Sequence, residues 1–378
     1  MVVETNGNGK RVSMASKLIS TLRIIAPELA SSLENYYRGK KVIITGGMGF
    51  IGSNLAIALV DLGAEVLIVD SMIPEYGGNT FNIEPIRDRV RVNISDVRDR
   101  TSMNYLVQGQ DCMFNLAGTL SHVDSMKDPF TDLEINCVSQ LSILESCRHV
   151  NPSIKIVFAG TRGQYGYTGG KPVTEDTPMR PVDVNGINNI AGEGYHLLYN
   201  DVYGIRACSR RMTNTFGPRH QMRHPRQGVL NWFLRQLIDG EKIRLYGTGT
   251  QIRDINYVSD VVEALLVAMM DERTNGQVFN LGGEPLSLKK FIELAIEVHG
   301  SGEYELIPFP PEAKAIEPGD YIADYSKFHK LTGWRPRVSV REGIARTLDY
   351  YRAYKAWYWG DSPKGVPPSL PEKLPEGE

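Results

Sequence analysis

The chain has 378 residues, 42% of them hydrophobic, and a formal net charge of −2. That is enough apolar material for one large or two modest domains, and the near-neutral balance gives no reason to expect nucleic acid or an anionic membrane as a partner. Four scattered cysteines (Cys112, Cys137, Cys147, Cys208) without a C-x-x-C pair predict buried, reduced thiols, and neither a disulfide framework nor a metal site. No apolar run is long enough to span a bilayer and the N-terminus lacks a signal-peptide core, so a cytoplasmic protein is expected.

Residues 1–15 are polar. Over 16–38, Leu18, Leu22, Ile25, Leu29, Leu33 and Tyr37 recur at helical spacing, and Pro27 should divide the run into two short helices. Its polar face is mixed in charge. This favours a cap on the domain or on a partner subunit over a membrane-surface helix, and residues 1–39 read as an N-terminal helical extension.

Val42-Ile43-Ile44-Thr45 is a β-branched run, followed by Gly46-Gly47-Met48-Gly49-Phe50-Ile51-Gly52, an apolar helical stretch, and Val66-Leu67-Ile68-Val69-Asp70. This is strand, tight turn, helix, strand. Gly46, Gly49 and Gly52 form a G-x-x-G-x-x-G variant of the dinucleotide fingerprint: glycine permits the turn, lets the backbone approach a pyrophosphate, and lets the helix pack closely on the sheet. Phe50 and Ile51 open the helix whose free N–H groups face the diphosphate. Asp70 is placed to accept the adenosine ribose hydroxyls. Ser71 and Met72 follow it with no arginine for a 2′-phosphate, so the cofactor is read as NAD and not NADP.

Strands are then expected at 90–94, 111–116, 154–159 and 205–211, and helices at 100–108, 129–149 and 186–202. Regular alternation with apolar strands predicts an α/β fold, a doubly wound parallel Rossmann sheet covered on both faces. Ligands bind beyond the carboxyl ends of such strands, which puts the loops after 45, 70, 96, 116, 159 and 212 on one rim. Beyond 212 the pattern loosens into loops rich in Arg, His, Gly and Pro. The expected division is an NAD-binding domain over 40–212, joined again by 254–282, and a smaller α/β substrate-binding lobe from 213–253 and 283–360. Residues 361–378 read as an extended or disordered tail.

Further motifs recur in order: Asp96-Val97; Asn115-Leu116-Ala117-Gly118; Ser121-His122-Val123-Asp124; Arg211 to Pro218; Gly247 to Asp254; Asn280 to Gly283; Gly319-Asp320. Together with the glycine turn they resemble the extended short-chain dehydrogenases, specifically the NAD-dependent epimerase/dehydratase family acting on nucleotide sugars, over roughly residues 40–350. The resemblance implies that Asp96 and Val97 contact adenine, and that Leu116, Ala117 and Gly118 lie along the cofactor. It also implies that Ser121 and His122 face the substrate, and that Asn214 and Arg253 meet the nucleotide diphosphate. Arginine suits that last role because its planar fork matches phosphate oxygens, and Arg219 in the following loop is a further candidate. A homodimer paired through the helices at 129–149 and 186–202 is also implied.

The catalytic pattern departs from the family. Its helix carries Y-x-x-x-K, where tyrosine takes a proton and lysine holds the nicotinamide ribose. Here Glu193 fixes the register, and the two positions fall on Asn185 and Asn189, amides that cannot accept a proton at neutral pH. Tyr167 and Lys171 repeat the spacing within a glycine-rich loop and share no helix face. Thr161 matches the hydroxyl that orients the reacting sugar. Arg162-Gly163 stand where dehydratases of the family carry an acid pair, which argues against a 4,6-dehydratase and makes Arg162 a substrate contact. Glu317 stands where an arginine is frequent. The expected function is an NAD-dependent nucleotide-sugar epimerase that passes through a transient keto-sugar, with Thr161, Asn185, Asn189 and Tyr165 as the catalytic set. Its base is not the usual tyrosine; Tyr165, Tyr167 and His122 are on suitable loops. A dehydratase or decarboxylase with relocated acid/base groups, or a silenced NAD- or nucleotide-sugar-binding protein, remain alternatives.

Overall fold

A computed structural model describes residues 27–73 and 76–359. The expectations for residues 1–26 and for the tail over 361–378 lie outside the described residues.

Helix α1 (Pro27–Tyr37) starts with proline, which suits the first helical turn because no N–H is needed there. It buries Leu33 and Tyr37 completely, and the Tyr37 hydroxyl donates to the Leu266 carbonyl at 2.9 Å. Strand β1 (Lys41–Thr45) leads through the glycine turn into α2 (Phe50–Asp61) and β2 (Glu65–Asp70). Then come β3 (Val90–Ile94), α3 (Arg100–Leu106), β4 (Cys112–Asn115), the short helices α4 (His122–Lys127) and α5 (Pro129–Leu133), and α6 (Ser139–Val150). Between α5 and α6, Glu134–Val138 form a π turn. The single helix expected over 129–149 is thus interrupted: the widened turn lets Ile135 and Asn136 reach the cleft described below.

Strand β5 (Lys155–Thr161) is followed by β6 (Pro172–Val173), α7 (Val184–Tyr203), β7 (Ala207–Met212) and β8 (Asn214–Phe216). The remainder is α8 (Val229–Asp239), β9 (Ile243–Tyr246), β10 (Ile252–Tyr257), α9 (Val258–Met270), β11 (Val278–Asn280), β12 (Glu284–Ser287), α10 (Leu288–His299), β13 (Tyr304–Ile307), α11 (Pro311–Ala315), β14 (Ile322–Ala323), α12 (Ser326–Thr332) and α13 (Val340–Tyr354).

The main sheet has seven strands in the order β11-β7-β5-β4-β1-β2-β3, and every pair in it is parallel. The order reverses between β1 and β4, the place where a crevice opens in such sheets. One face is covered by α2 and α9, whose Leu55, Ile57, Val60, Val261, Leu265 and Ala268 join a single apolar cluster. The other face carries Met103, Ile143, Leu144 and Tyr199 from α3, α6 and α7. Helix α2 is buried continuously from Gly52 to Val60, which explains why its sequence is apolar all round and not striped. Outside this sheet, β12-β10-β8, β13-β9 and β14-β6 form three small sheets. All four cysteines are buried free thiols, and no described helix is long and apolar enough to cross a membrane.

Candidate active site

A cleft of about 1280 Å³ runs along the carboxyl ends of the main-sheet strands, large enough for two extended ligands. It is lined on one side by Gly46, Gly49, Phe50, Ile51, Gly52 and Asp70, then Asp96, Val97, Leu116, Ala117 and Gly118. These are the residues expected to hold the dinucleotide. Gly46 has φ +71°, and a side chain on it would meet the Ala117 backbone at 3.1 Å. A Cβ on Gly52 would fall against the Gly46 carbonyl oxygen and 2.8 Å from the Gly47 Cα, so the helix start sits against the turn with no room for a substituent. The Asp70 carboxylate accepts the Met48 and Met72 N–H groups, each at 2.9 Å. Burial pushes its pKa up, and those two bonds oppose the shift. The cradle fits a dinucleotide: bare backbone for the diphosphate, and an anchored carboxylate at the end of β2 for a ribose.

The opposite side is built around β5. The Thr161 hydroxyl accepts the Gly163 N–H at 3.1 Å and the Gln164 side chain accepts the Thr161 N–H at 3.0 Å, a reciprocal cap on the turn 162–164. This holds Thr161 at the strand end with its O–H proton unassigned. Asn185 and Asn189 line the cleft on one face of α7, but their amides are committed. Asn185 Nδ2 donates to the Thr119 carbonyl (2.8 Å) and to Asp132 Oδ2 (3.0 Å), and Asn189 Nδ2 to the Asn185 carbonyl (2.9 Å). Arg162 lines the cleft over the Tyr321 ring, and no hydrogen bond or ion pair engages its guanidinium among the described residues. Burial, with Arg253 nearby, pushes it down to about 10. His122 Nδ1 lies 2.6 Å from Asp183 Oδ2, and Asp183 caps α7 by accepting the Gly186 N–H at 2.7 Å. Burial alone would raise the Asp183 pKa; the bond and charge of His122, the Gly186 N–H and the charge of Arg162 together outweigh it and hold the carboxyl below its usual range.

Several expected site residues stand elsewhere. Tyr165 is buried outside the cleft, its hydroxyl donating to Asn280 Oδ1 and accepting from Arg211 Nη1, both at 2.6 Å. The turn at 162–164 folds it inward beside the buried Arg211–Glu193 ion pair. Ser121 is also buried outside the cleft lining; its hydroxyl caps α4 by accepting the Asp124 N–H at 3.1 Å. Arg219 is fully buried with φ +74°, donating to the Asn82 carbonyl and the Asn54 side chain, so it ties the loop to the domain and does not line the cleft. Arg253 does line the cleft, but its guanidinium is held by Glu317 and by the Gly319 and Ile252 carbonyls at 2.7 and 3.1 Å. Asn214 reaches the cleft, and its Oδ1, an acceptor, is buried without a partner among the described residues. Asp183 was not singled out from the sequence. Its signal was an N-cap aspartate before α7, and its histidine partner lies 61 positions away.

The fold and this cleft define a Rossmann protein of the dinucleotide-binding class. The profile of the NAD dependent epimerase/dehydratase family matches residues 42–282, and the chain belongs to that family. Among its relatives, a putative UDP-glucose 4-epimerase of Methanocaldococcus jannaschii is 29% identical over 82% of this chain and 98% of its own. A UDP-N-acetyl-alpha-D-glucosaminuronate decarboxylase of Bacillus cytotoxicus is 30% identical over 83% and 98%. The crystal structure of a UDP-glucuronic acid 4-epimerase from Bacillus cereus, in complex with UDP-glucuronic acid and NAD, superposes with a TM-score of 0.75 at 26% identity, over 83% of this chain and 99% of that one.

Proposed function

We propose that the protein is a nucleotide-sugar epimerase that works through a transient keto-sugar with a proton acceptor other than tyrosine. The observation that carries this reading is the meeting of two half-sites in one cleft, the glycine cradle of β1–α2 and the Thr161-Arg162-Gly163 turn of β5. Bound NAD would supply a hydride acceptor that returns what it takes, leaving no net oxidation. Gly46, Gly49, Gly52 and Asp70 would hold it. Thr161 would orient the reacting hydroxyl, and Asn214 would meet the diphosphate. Asn189 would present its free amide oxygen to the ribose that lysine holds in the family. Arg253 would become available only as Glu317 yields.

Two of the relatives act on, or bind, sugars that carry a carboxylate. Arg162, whose guanidinium no hydrogen bond or ion pair engages among the described residues, favours an acidic sugar here as well. It also supports a second reading, decarboxylation of a hexuronate after oxidation, because both reactions begin at the same keto-sugar. Incubation with UDP-, dTDP- and CDP-linked hexoses and hexuronates, followed by NMR of the products, separates these readings. An equilibrium pair of epimers is expected. Release of CO₂ with a pentose product selects the second reading, and no turnover by protein holding NAD contradicts both.

The assembly we read is a homodimer. Phe130, Val138, Ile187, Leu198 and Val202 project from α5 to α7 at 75%, 54%, 56%, 51% and 59% exposure, an apolar face that a second copy would cover. Light scattering on the purified protein should give twice the chain mass.

A further inference from the structure

We propose that His122, oriented by Asp183, takes the proton from the reacting sugar hydroxyl and gives it back, in place of the absent tyrosine and lysine. The assignment rests on the epimerase reading above and names the base of that same site.

The other candidates are placed wrongly. Asn185 and Asn189 have no proton to exchange at neutral pH and hold each other and Asp132. Tyr165 is buried against Arg211. Tyr167 is 72% exposed, packs on Gly319 and does not line the cleft.

His122 opens α4 and lines the cleft, with 41% of its side chain exposed, while its partner Asp183 is 2% exposed. An ionised carboxylate can only accept, so the 2.6 Å contact requires the proton on Nδ1. In the neutral ring the basic lone pair is then on Nε2, which has no partner among the described residues. Its position relative to Thr161 follows from Gly163. A methyl placed on Gly163 would meet His122 Cε1 at 3.2 Å and Thr161 Oγ1 at 3.5 Å. The imidazole edge and the threonine hydroxyl therefore border the same point of the cleft, and the ring comes this close because residue 163 carries no side chain.

A base held in one tautomer by a buried carboxylate is a recurring device for proton transfer near neutral pH. Asp183 at the start of α7 pairs with His122, and Arg162 from the β5 turn acts in turn on Asp183; Asp124, two residues along from His122, pairs with Arg226 at 3.3 Å. In the step, the sugar O–H proton would pass to Nε2 as C=O forms, with NAD, when bound, supplying the acceptor for the hydride that leaves the same carbon. Inversion would require the keto-sugar to take hydride back at the opposite face of the same carbon while His122 returns the proton to its oxygen, which restores the alcohol and completes the epimerisation. Asp183 stabilises the imidazolium between the two halves.

The test compares wild type with His122→Gln, Asp183→Asn and Tyr167→Phe, on the UDP-, dTDP- and CDP-sugar panel and by ¹⁵N NMR of the imidazoles across pH without sugar. His122→Gln should lower kcat by about 10²- to 10⁴-fold, with retained dinucleotide and melting temperature close to wild type; Tyr167→Phe should leave the rate unchanged. Asp183→Asn keeps an N-cap of equal quality. It should lower kcat at least about tenfold, with little change in KM. The wild-type spectrum should show the neutral His122 ring protonated at Nδ1 and bare at Nε2. A His122→Gln rate within threefold of wild type, or a ring protonated at Nε2 when neutral, overturns the assignment. If the wild type turns over no sugar of the panel, the epimerase reading fails, and the tautomer still decides whether His122 is an exposed base.

Discussion

The two sides of the cleft are built by different means. On the β1–β2 side the binding groups are main chain: turns that only glycine can make, a helix start, and one carboxylate fixed by two N–H groups. On the β5–α7 side they are side chains from separated stretches, namely Thr161, Arg162, His122 and Asp183, each oriented by another side chain or by a cap. A backbone site tolerates almost no change at its glycines but says little about chemistry. A side-chain site can exchange its chemistry residue by residue while the fold stands. This is how a Rossmann member can carry asparagine at both positions of the usual proton-transfer pair and keep its cradle.

Gly52→Val should break the contrast most severely, because its side chain meets backbone and not a movable group. We expect a loss of bound dinucleotide together with at least about 1–3 kcal/mol of stability, read by nucleotide release and by denaturant melts. Thr161→Ala should act on the other side alone. Turnover should fall by about 10²-fold, while loss of the turn cap costs only about 1 kcal/mol; Thr161→Ser should recover most of both.

The comparison sharpens under acid, because each side encloses a neutral histidine. His196 stacks on Phe158 of β5 at 4.4 Å between ring centroids, and His220 lies edge-on to Phe50 of α2 at 4.7 Å. Burial pushes both pKa values down to about 4. Between the unfolded value near 6.5 and that folded value, the unfolded chain takes up protons that the native state refuses. Stability should therefore be complete above about pH 6.5 and fall as pH drops towards 4, by up to roughly 1.4 kcal/mol per pH unit for each ring. Urea melts at steps of pH check this, and a flat profile over that window would contradict it.

The smallest expected effect is at Arg162. Arg162→Gln removes a half-buried cation whose guanidinium makes no hydrogen bond or ion pair among the described residues and touches only the Tyr321 ring, so stability should change little. KM for a nucleotide hexuronate should increase about tenfold, the worth of roughly one charge-assisted hydrogen bond, and KM for the matching neutral hexose should change little.

Legibility from the sequence followed the same division. The glycine spacing, the β-branched strands and the terminal Asp70 are local signals, and the cradle they predict is the one observed in the fold. The β5 side depends on where loops turn. Thr161 and Arg162 were readable as positions, but the cap at 162–164 sends Tyr165 into the interior. The +74° φ of Arg219 turns its side chain towards Asn54 and Asn82, with no periodicity to announce it. Glu317 binds Arg253 from 64 positions away, and Asp183 meets His122 across 61. Pairings of that range belong to tertiary structure and leave no mark in a window of sequence. The π turn at 134–138 is equally silent, since its residues would suit an ordinary helix.

The central claim is that the cradle still holds NAD although the usual proton-transfer pair is gone. Nucleotide released from the denatured protein, together with calorimetric titration of the stripped protein with NAD and NADP, tests it most directly. The account predicts NAD in the released fraction and at least tenfold weaker binding of NADP. At free NAD about 100 times Kd, the gain in stability should be about 2.7 kcal/mol. Protein that releases no dinucleotide, and neither binds nor is stabilised by NAD, would contradict it.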